Sequence, residues 1–135
     1  MALLDWNDSY SVGVPTIDRQ HAGLFGMVND LHTAMMKGQT KAVLGPLLDR
    51  LVKYTHEHFA YEEKAMEAAK YPNLAAHRVR HRDLTKQVEE FAARYKKGDA
   101  SLNIELIRFL SDWLTKHILH EDKQYVPSMK QSGAR

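Results

Sequence analysis

Apolar residues recur at helical spacing through long stretches of this chain, and turn-forming residues cut those stretches into four pieces of similar length. That pattern limits the fold more than any other feature. The first piece follows Gly13-Val14-Pro15 and runs from about Thr16 to Lys37, stopping at Gly38, with Ile17, Leu24, Val28, Leu31 and Met35 on one face. The second runs from about Lys41 to Ala69, with Leu47, Leu51, Tyr54, His58, Glu62 and Met66 on one face. Gly45-Pro46 interrupts its start, so this helix is expected to begin near Gly45, because proline suits a first turn and kinks an interior. Tyr71-Pro72-Asn73 reads as a turn, with Asn73 the expected N-cap of a third helix from about Leu74 to Lys96. That helix carries His77, His81, Leu84, Val88, Phe91 and Tyr95 on one stripe, and Lys97-Gly98-Asp99 closes it. The fourth runs from about Ser101 to beyond His120 and carries Leu106, Leu110, Trp113 and His117.

Four amphipathic helices with short connections predict an all-α fold, an antiparallel up-down-up-down four-helix bundle over residues 16–126. Residues 1–15 form an N-terminal arm that Trp6 is expected to pin against the bundle. Pro127 and the polar tail 127–135 are expected to end the ordered part. No β pattern, internal repeat or low-complexity segment interrupts this reading.

Composition then narrows the chemistry. The chain has 135 residues, the size of one domain, and no cysteine. Disulfides, thiolate zinc sites, iron–sulfur clusters and cysteine nucleophiles are excluded, so any metal must be held by nitrogen and oxygen. A net charge of +2 argues against a nucleic-acid or membrane-surface partner. The N-terminus lacks a basic region before an apolar run, and no stretch approaches the roughly 20 apolar residues of a membrane span, so a cytoplasmic protein is expected.

Histidine is the unusual count, eight in all. His58 and Glu62 are four apart and share a face, as do His77 and His81. His21, on the first helix, and His117, on the fourth, also fall on core-facing stripes. Imidazoles buried without partners would cost a few kcal/mol each, and a metal would satisfy them together. Five imidazoles and two carboxylates exceed the needs of one four-coordinate zinc and point to two metals. Imidazole with carboxylate suits iron. The Glu-x-x-His pattern of ferritin-like di-iron bundles is absent.

The other histidines have plainer readings. His32 lies eleven residues past His21, about 16 Å along the axis, too far to share a metal, and is expected to be a hydrogen-bonded residue near the bundle end. His56 points away from the His58 face and reads as a surface residue. Glu63 is expected to be solvated. After His117, helical spacing favours Glu121 or His120 as its partner. Asp122, five residues on, sits about 140° around an ideal helix.

The chain resembles the bacterial hemerythrins. The resemblance rests on Trp6, the run from Gly13 to His21 (Gly-Val-Pro-Thr-Ile-Asp-Arg-Gln-His), His58-Phe-Ala-Tyr-Glu-Glu63 with Met66, and Tyr71-Pro72. It continues through His77-Arg-Val-Arg-His81 and Trp113-Leu-Thr-Lys-His-Ile118 with Asp122. It implies two non-haem irons. His77, His81 and His117 would bind one, and His21 and His58 the other. Glu62 and Asp122 would bridge both beside an oxo or hydroxo group. The second iron would be five-coordinate and open to O2. Selecting Asp122 rests on the resemblance alone, and requires the helix to end, tighten or bulge between His117 and Asp122.

Implied in turn is reversible O2 binding for carriage, storage or delivery, without enzymatic turnover. Moving a proton together with the electrons would leave the net charge of the centre unchanged, which suits a low-dielectric pocket. Trp113 and Ile118 are candidates for the pocket wall, although core packing alone is the more usual fate of such a tryptophan. The bacterial resemblance and near-neutral surface favour a monomer. A lone domain without a signalling segment favours carriage over sensing. The competing reading is a di-iron redox enzyme, a peroxidase or a nitric oxide-handling reductase. That would require a polar proton donor near the open position, and His120 or Tyr125 is the candidate if it points inward.

Overall fold

In the computed structural model the described residues are 4–38, 41–97 and 102–133. Among them no strand occurs, and the long elements are four helices: α1 (Pro15–Met36), α2 (Lys41–Ala68), α3 (Leu74–Lys96) and α4 (Leu102–Lys116). α1 packs on α2 and α4, and α3 packs on the same two, the arrangement of an up-down-up-down bundle. Among the described residues no helix is long and apolar enough to cross a membrane.

The N-terminal arm is tied down at two places. Asn29 holds the backbone of Leu4 from both sides, at 2.8 Å each. Trp6 stacks on Tyr10 at 5.7 Å and meets Phe25 edge-on at 5.4 Å, as its expected role requires. α1 begins at Pro15, whose missing N–H costs nothing in a first turn. Asp18 caps the entry by accepting from Val12 N at 2.9 Å and Ser11 Oγ at 2.6 Å.

Two boundaries and one helix cap differ from expectation. α2 does not wait for Gly45 but runs through Pro46 from Lys41. Pro46 is the sixth residue, so its missing N–H leaves the Ala42 carbonyl without its usual donor, a loss confined to the first two turns of the helix. Asn73 stands at the start of α3, but its side chain makes no capping bond. The expected signals Gly98-Asp99 and Ser101 lie outside the described residues.

The third difference is at the C-terminus. After α4 the chain makes a π-helical turn over His117–Glu121, a 3₁₀ turn over Asp122–Tyr125, and a further helix, α5 (Val126–Ser132). Over its described residues, 127–133, the expected polar tail is therefore helical up to a Gly133 cap. Pro127 sits in the first turn of α5, where proline starts a helix instead of stopping one. Met129 is buried with Val12, Val14, Ile17, Met66, Tyr71 and Tyr125 in a small apolar cluster.

A larger apolar cluster fills the rest of the bundle and includes Leu24, Phe25, Phe59, Leu110, Trp113, Leu114 and Ile118. Along α1, Ile17 belongs to the small cluster and Leu24 to the large one, with buried His21 between them. Along α2, Glu62 separates Phe59 from Met66 in the same way. A layer of buried polar side chains thus crosses the bundle between two apolar regions.

Candidate metal centre

The polar layer contains His21, His58, Glu62, His77, His81, His117 and Asp122, each at most 5% exposed. Glu62 and Asp122 stand at its middle. On one side, Glu62 Oε1 lies 2.9 Å from His81 Nε2 and 3.3 Å from His77 Nε2. Asp122 Oδ1 lies 2.9 Å from His77 Nε2 and 3.0 Å from His117 Nε2. On the other side, Glu62 Oε2 is 3.3 Å from both His21 Nε2 and His58 Nε2, and Asp122 Oδ2 is 3.1 Å from His21 Nε2.

Each carboxylate therefore turns one oxygen to a three-imidazole group and the other to a two-imidazole group. Ligand atoms of His77, His81, His117, Glu62 and Asp122 all lie within 4.8 Å of one another, as do those of His21, His58 and Glu62, and Asp122 meets this second group through His21 alone. The separations are those of hydrogen bonds, yet all five Nε2 atoms, Glu62 Oε1 and both Asp122 oxygens lack a hydrogen-bond partner. Orphaned polar atoms at zero exposure are costly. Nitrogen and oxygen donors facing a shared space fit two cations bridged by two carboxylates.

The π turn explains how Asp122 enters this set. Its N–H reaches the carbonyls of both His117 and Ile118, so the widened turn brings the residue five positions on back beneath His117. Glu121 is displaced outward and His120 is exposed. Glu121, at the i+4 spacing, still meets His117, but from outside the layer at Nδ1, while Asp122 faces Nε2 within it.

Three of the imidazoles are also held at Nδ1 from outside the layer. His58 Nδ1 lies 2.7 Å from Gln20 Oε1, and His81 Nδ1 lies 2.9 Å from Glu63 Oε2. His117 Nδ1 makes a short contact with Glu121 Oε2. Glu63 is thus not merely solvated: it holds His81 and is itself held by Arg78 Nε at 3.2 Å. Gln20, Glu63 and Glu121 each adjoin a buried member of the layer in sequence, namely His21, Glu62 and Asp122. That adjacency was the available signal for them.

Phe59, next to His58 in the chain, lies flat on the His81 ring, centroids 3.8 Å apart and planes 4° apart. It meets Trp113 edge-on at 6.0 Å. Trp113 and Ile118 are both buried in the large apolar cluster. Tyr125, beside His77 with ring centroids 5.8 Å apart, donates its hydroxyl to Glu62 Oε2 at 3.0 Å. Burial and the neighbouring carboxylates hold that phenol well above its usual range, so it keeps its proton. His56 is a surface residue paired with Glu89 at 2.7 Å, and His32 lies part-buried away from the layer.

In the metal-free chain, burial opposes charge on His117. The negative charge of Asp122 beside Nε2 and the carboxylate of Glu121 at Nδ1 outweigh it and push the group up to about 10. His21 and His77 rise to about 9 by the same contest with Asp122 and Glu62. His58 goes the other way, lowered by burial, and stays neutral.

Residues 12–129 match the sequence model of the Hemerythrin HHE cation binding domain. A bacteriohemerythrin of Stenotrophomonas maltophilia is 41% identical over 130 residues, covering 96% of this chain and 84% of that one. A bacteriohemerythrin of Methylococcus capsulatus is 35% identical, covering 96% of this chain and 98% of that one. A crystal structure of wild-type hemerythrin superposes with a TM-score of 0.88 at 34% identity, covering 95% of this chain and 98% of that one.

Proposed function

The chain belongs to the hemerythrin family, and from that premise we propose that it binds O2 reversibly at a pair of non-haem irons and serves carriage, storage or delivery. One observation carries the reading. Two buried carboxylates each divide their oxygens between a set of three imidazoles and a set of two. On this reading His77, His81 and His117 would hold one iron and His21 and His58 the other, with Glu62 and Asp122 shared between them. The two-imidazole set offers one protein ligand fewer, so an iron held there would be the one left open to O2.

When bound, the iron pair supplies electrons to O2 and recovers them on release. The chain's own contribution is to hold the imidazoles still, exclude water and keep protons in place. Phe59, Trp113 and Ile118 form an apolar wall beside the layer, and Trp113 and Ile118 remain the proposed pocket residues. Such a wall slows loss of the bound ligand by keeping water and protons out. The Tyr125 hydroxyl is engaged with Glu62 and holds its proton there.

One observation favours the enzymatic alternative. Tyr125 points inward, as a proton donor for peroxidase or reductase chemistry would, whereas exposed His120 does not. The test is to reduce iron-loaded protein without oxygen, record its visible spectrum, admit air and then remove it. A band that comes and goes with O2, at two irons per chain, supports carriage. Irreversible oxidation, or steady consumption of peroxide, overturns carriage in favour of the enzyme.

A further inference from the structure

The two halves of the polar layer are backed differently. His81 and His117, on the three-imidazole side, each present Nδ1 to a carboxylate, Glu63 Oε2 at 2.9 Å and Glu121 Oε2. Each carboxylate uses its second oxygen on an α3 arginine: Arg78 Nε donates to Glu63 Oε1 at 3.2 Å, and Arg80 Nη1 donates to Glu121 Oε1 at 2.7 Å. On the two-imidazole side the only acceptor among the described residues is neutral. His58 Nδ1 faces Gln20 Oε1 at 2.7 Å, and His21 Nδ1 is buried without a partner.

With Nε2 committed to a metal, Nδ1 carries the proton and donates it outward. A carboxylate acceptor draws that proton more strongly than an amide and makes the ring a stronger donor to the metal. The arginine charges do not cancel this. Arg78 and Arg80 are 41% and 62% exposed, whereas Glu63 and Glu121 are 25% and 21% exposed, so water screens the guanidiniums more. What the arginines supply is orientation, since an anchored carboxylate keeps its free oxygen on the imidazole.

We propose that Glu63 and Glu121, anchored by Arg78 and Arg80, are positioning residues. Through His81 and His117 they make the three-imidazole half the tighter metal site and the half that favours the ferric state. The amide-backed half is left as the one that exchanges its ligand. This rests on the two-iron reading above.

The test uses the full chain with Glu63→Gln, Glu121→Gln and Gln20→Glu. Glutamine keeps an acceptor oxygen and removes the charge. Cobalt(II) binding is measured by competition with a chelator, which resolves two stepwise constants. Glu63→Gln and Glu121→Gln should weaken one step by about 10- to 100-fold and leave the other unchanged. Gln20→Glu should strengthen the other step. In iron-loaded protein the reduction potential should rise in both glutamine variants, a tenfold loss of ferric preference at one iron corresponding to about 59 mV. Exposed-site variants Arg78→Met and Arg80→Met should move the same step by less, which covers a glutamine variant that folds poorly. Both steps falling together, neither moving, or Gln20→Glu moving the same step as Glu63→Gln overturns the proposal. A wild-type chain that takes up fewer than two cobalt ions overturns the two-metal reading itself.

Discussion

The hydroxyl of Tyr125 reaches Oε2 of Glu62 across 3.0 Å, and neither side chain has any exposure. A hydrogen bond to a buried carboxylate contributes more than an ordinary one. Tyr125→Phe should fold and bind metal but lose roughly 1.5–3 kcal/mol of stability in the metal-free chain, read by urea denaturation. An unchanged midpoint would mean that the bond is not formed in solution.

Glu62 and Asp122 touch both imidazole groups, whereas Glu121 touches one ring from behind. Glu62→Ala and Asp122→Ala should each lose one or both irons while keeping their helix content, measured by metal analysis and circular dichroism. His32→Ala and His56→Ala should retain the wild-type iron count. Two irons bound by Glu62→Ala with an unaltered spectrum would refute its bridging place.

Charge in the metal-free layer depends on pH in both directions. His21, His77 and His117 are raised from 6.5 to about 9, 9 and 10, so their stabilisation is whole below pH 6.5 and fades as pH climbs through 9 to 10. Burial opposes ionisation of Glu62 and Asp122, yet the surrounding imidazoles hold both below their ordinary values of 4.5 and 3.8. Their stabilisation is present above those values and is lost on acidification. Metal-free protein should therefore melt highest between about pH 5 and 6.5. Metal ligation needs neutral imidazoles, so loading at pH 7 should release about three protons per chain. Calorimetry in buffers of different ionisation enthalpy counts them, and a release of none would contradict the protonation states.

Met129 is 1% exposed among Ile17, Met66 and Tyr125. Met129→Ala should cost about 2–5 kcal/mol, because α5 would lose its anchor and leave a cavity. A thermal midpoint equal to wild type would show that α5 does not contribute to the fold.

Lys70 closes α2 with φ of 56°, a left-handed conformation, while Tyr71 N bonds back to Met66 O at 3.0 Å. Glycine takes that conformation without a Cβ clash. Lys70→Gly should raise stability by about 0.5–1 kcal/mol by chemical denaturation, and a loss would show that the lysine side chain contributes more than the strain costs.

Much of the architecture was legible because helical periodicity is local. An apolar residue every three or four positions marks the buried face whatever the partner helix is. His58, Glu62, His77 and His81 could be placed on one side of their helices by counting alone, and so could His21 and His117. Counting failed where the backbone left the ideal pitch. Between His117 and Asp122 an ordinary helix would have pointed Glu121 inward, and there only the family likeness indicated Asp122. The end of the chain was misread for a related reason: Pro127 marks either a stop or a start, and the choice depends on whether Met129 has a cluster to enter.

What the sequence by itself determined was the four long helices, their inner faces and the supply of nitrogen and oxygen donors on them. The tertiary structure alone decided which carboxylate turns inward, which outer residues hold each Nδ1, and which ring Phe59 covers. The physical reason is range. Helix faces follow from bonds spanning four residues, whereas the contacts of Gln20 with His58, Glu63 with His81 and Tyr125 with Glu62 join residues 38, 18 and 63 positions apart, and exist only once the helices have docked.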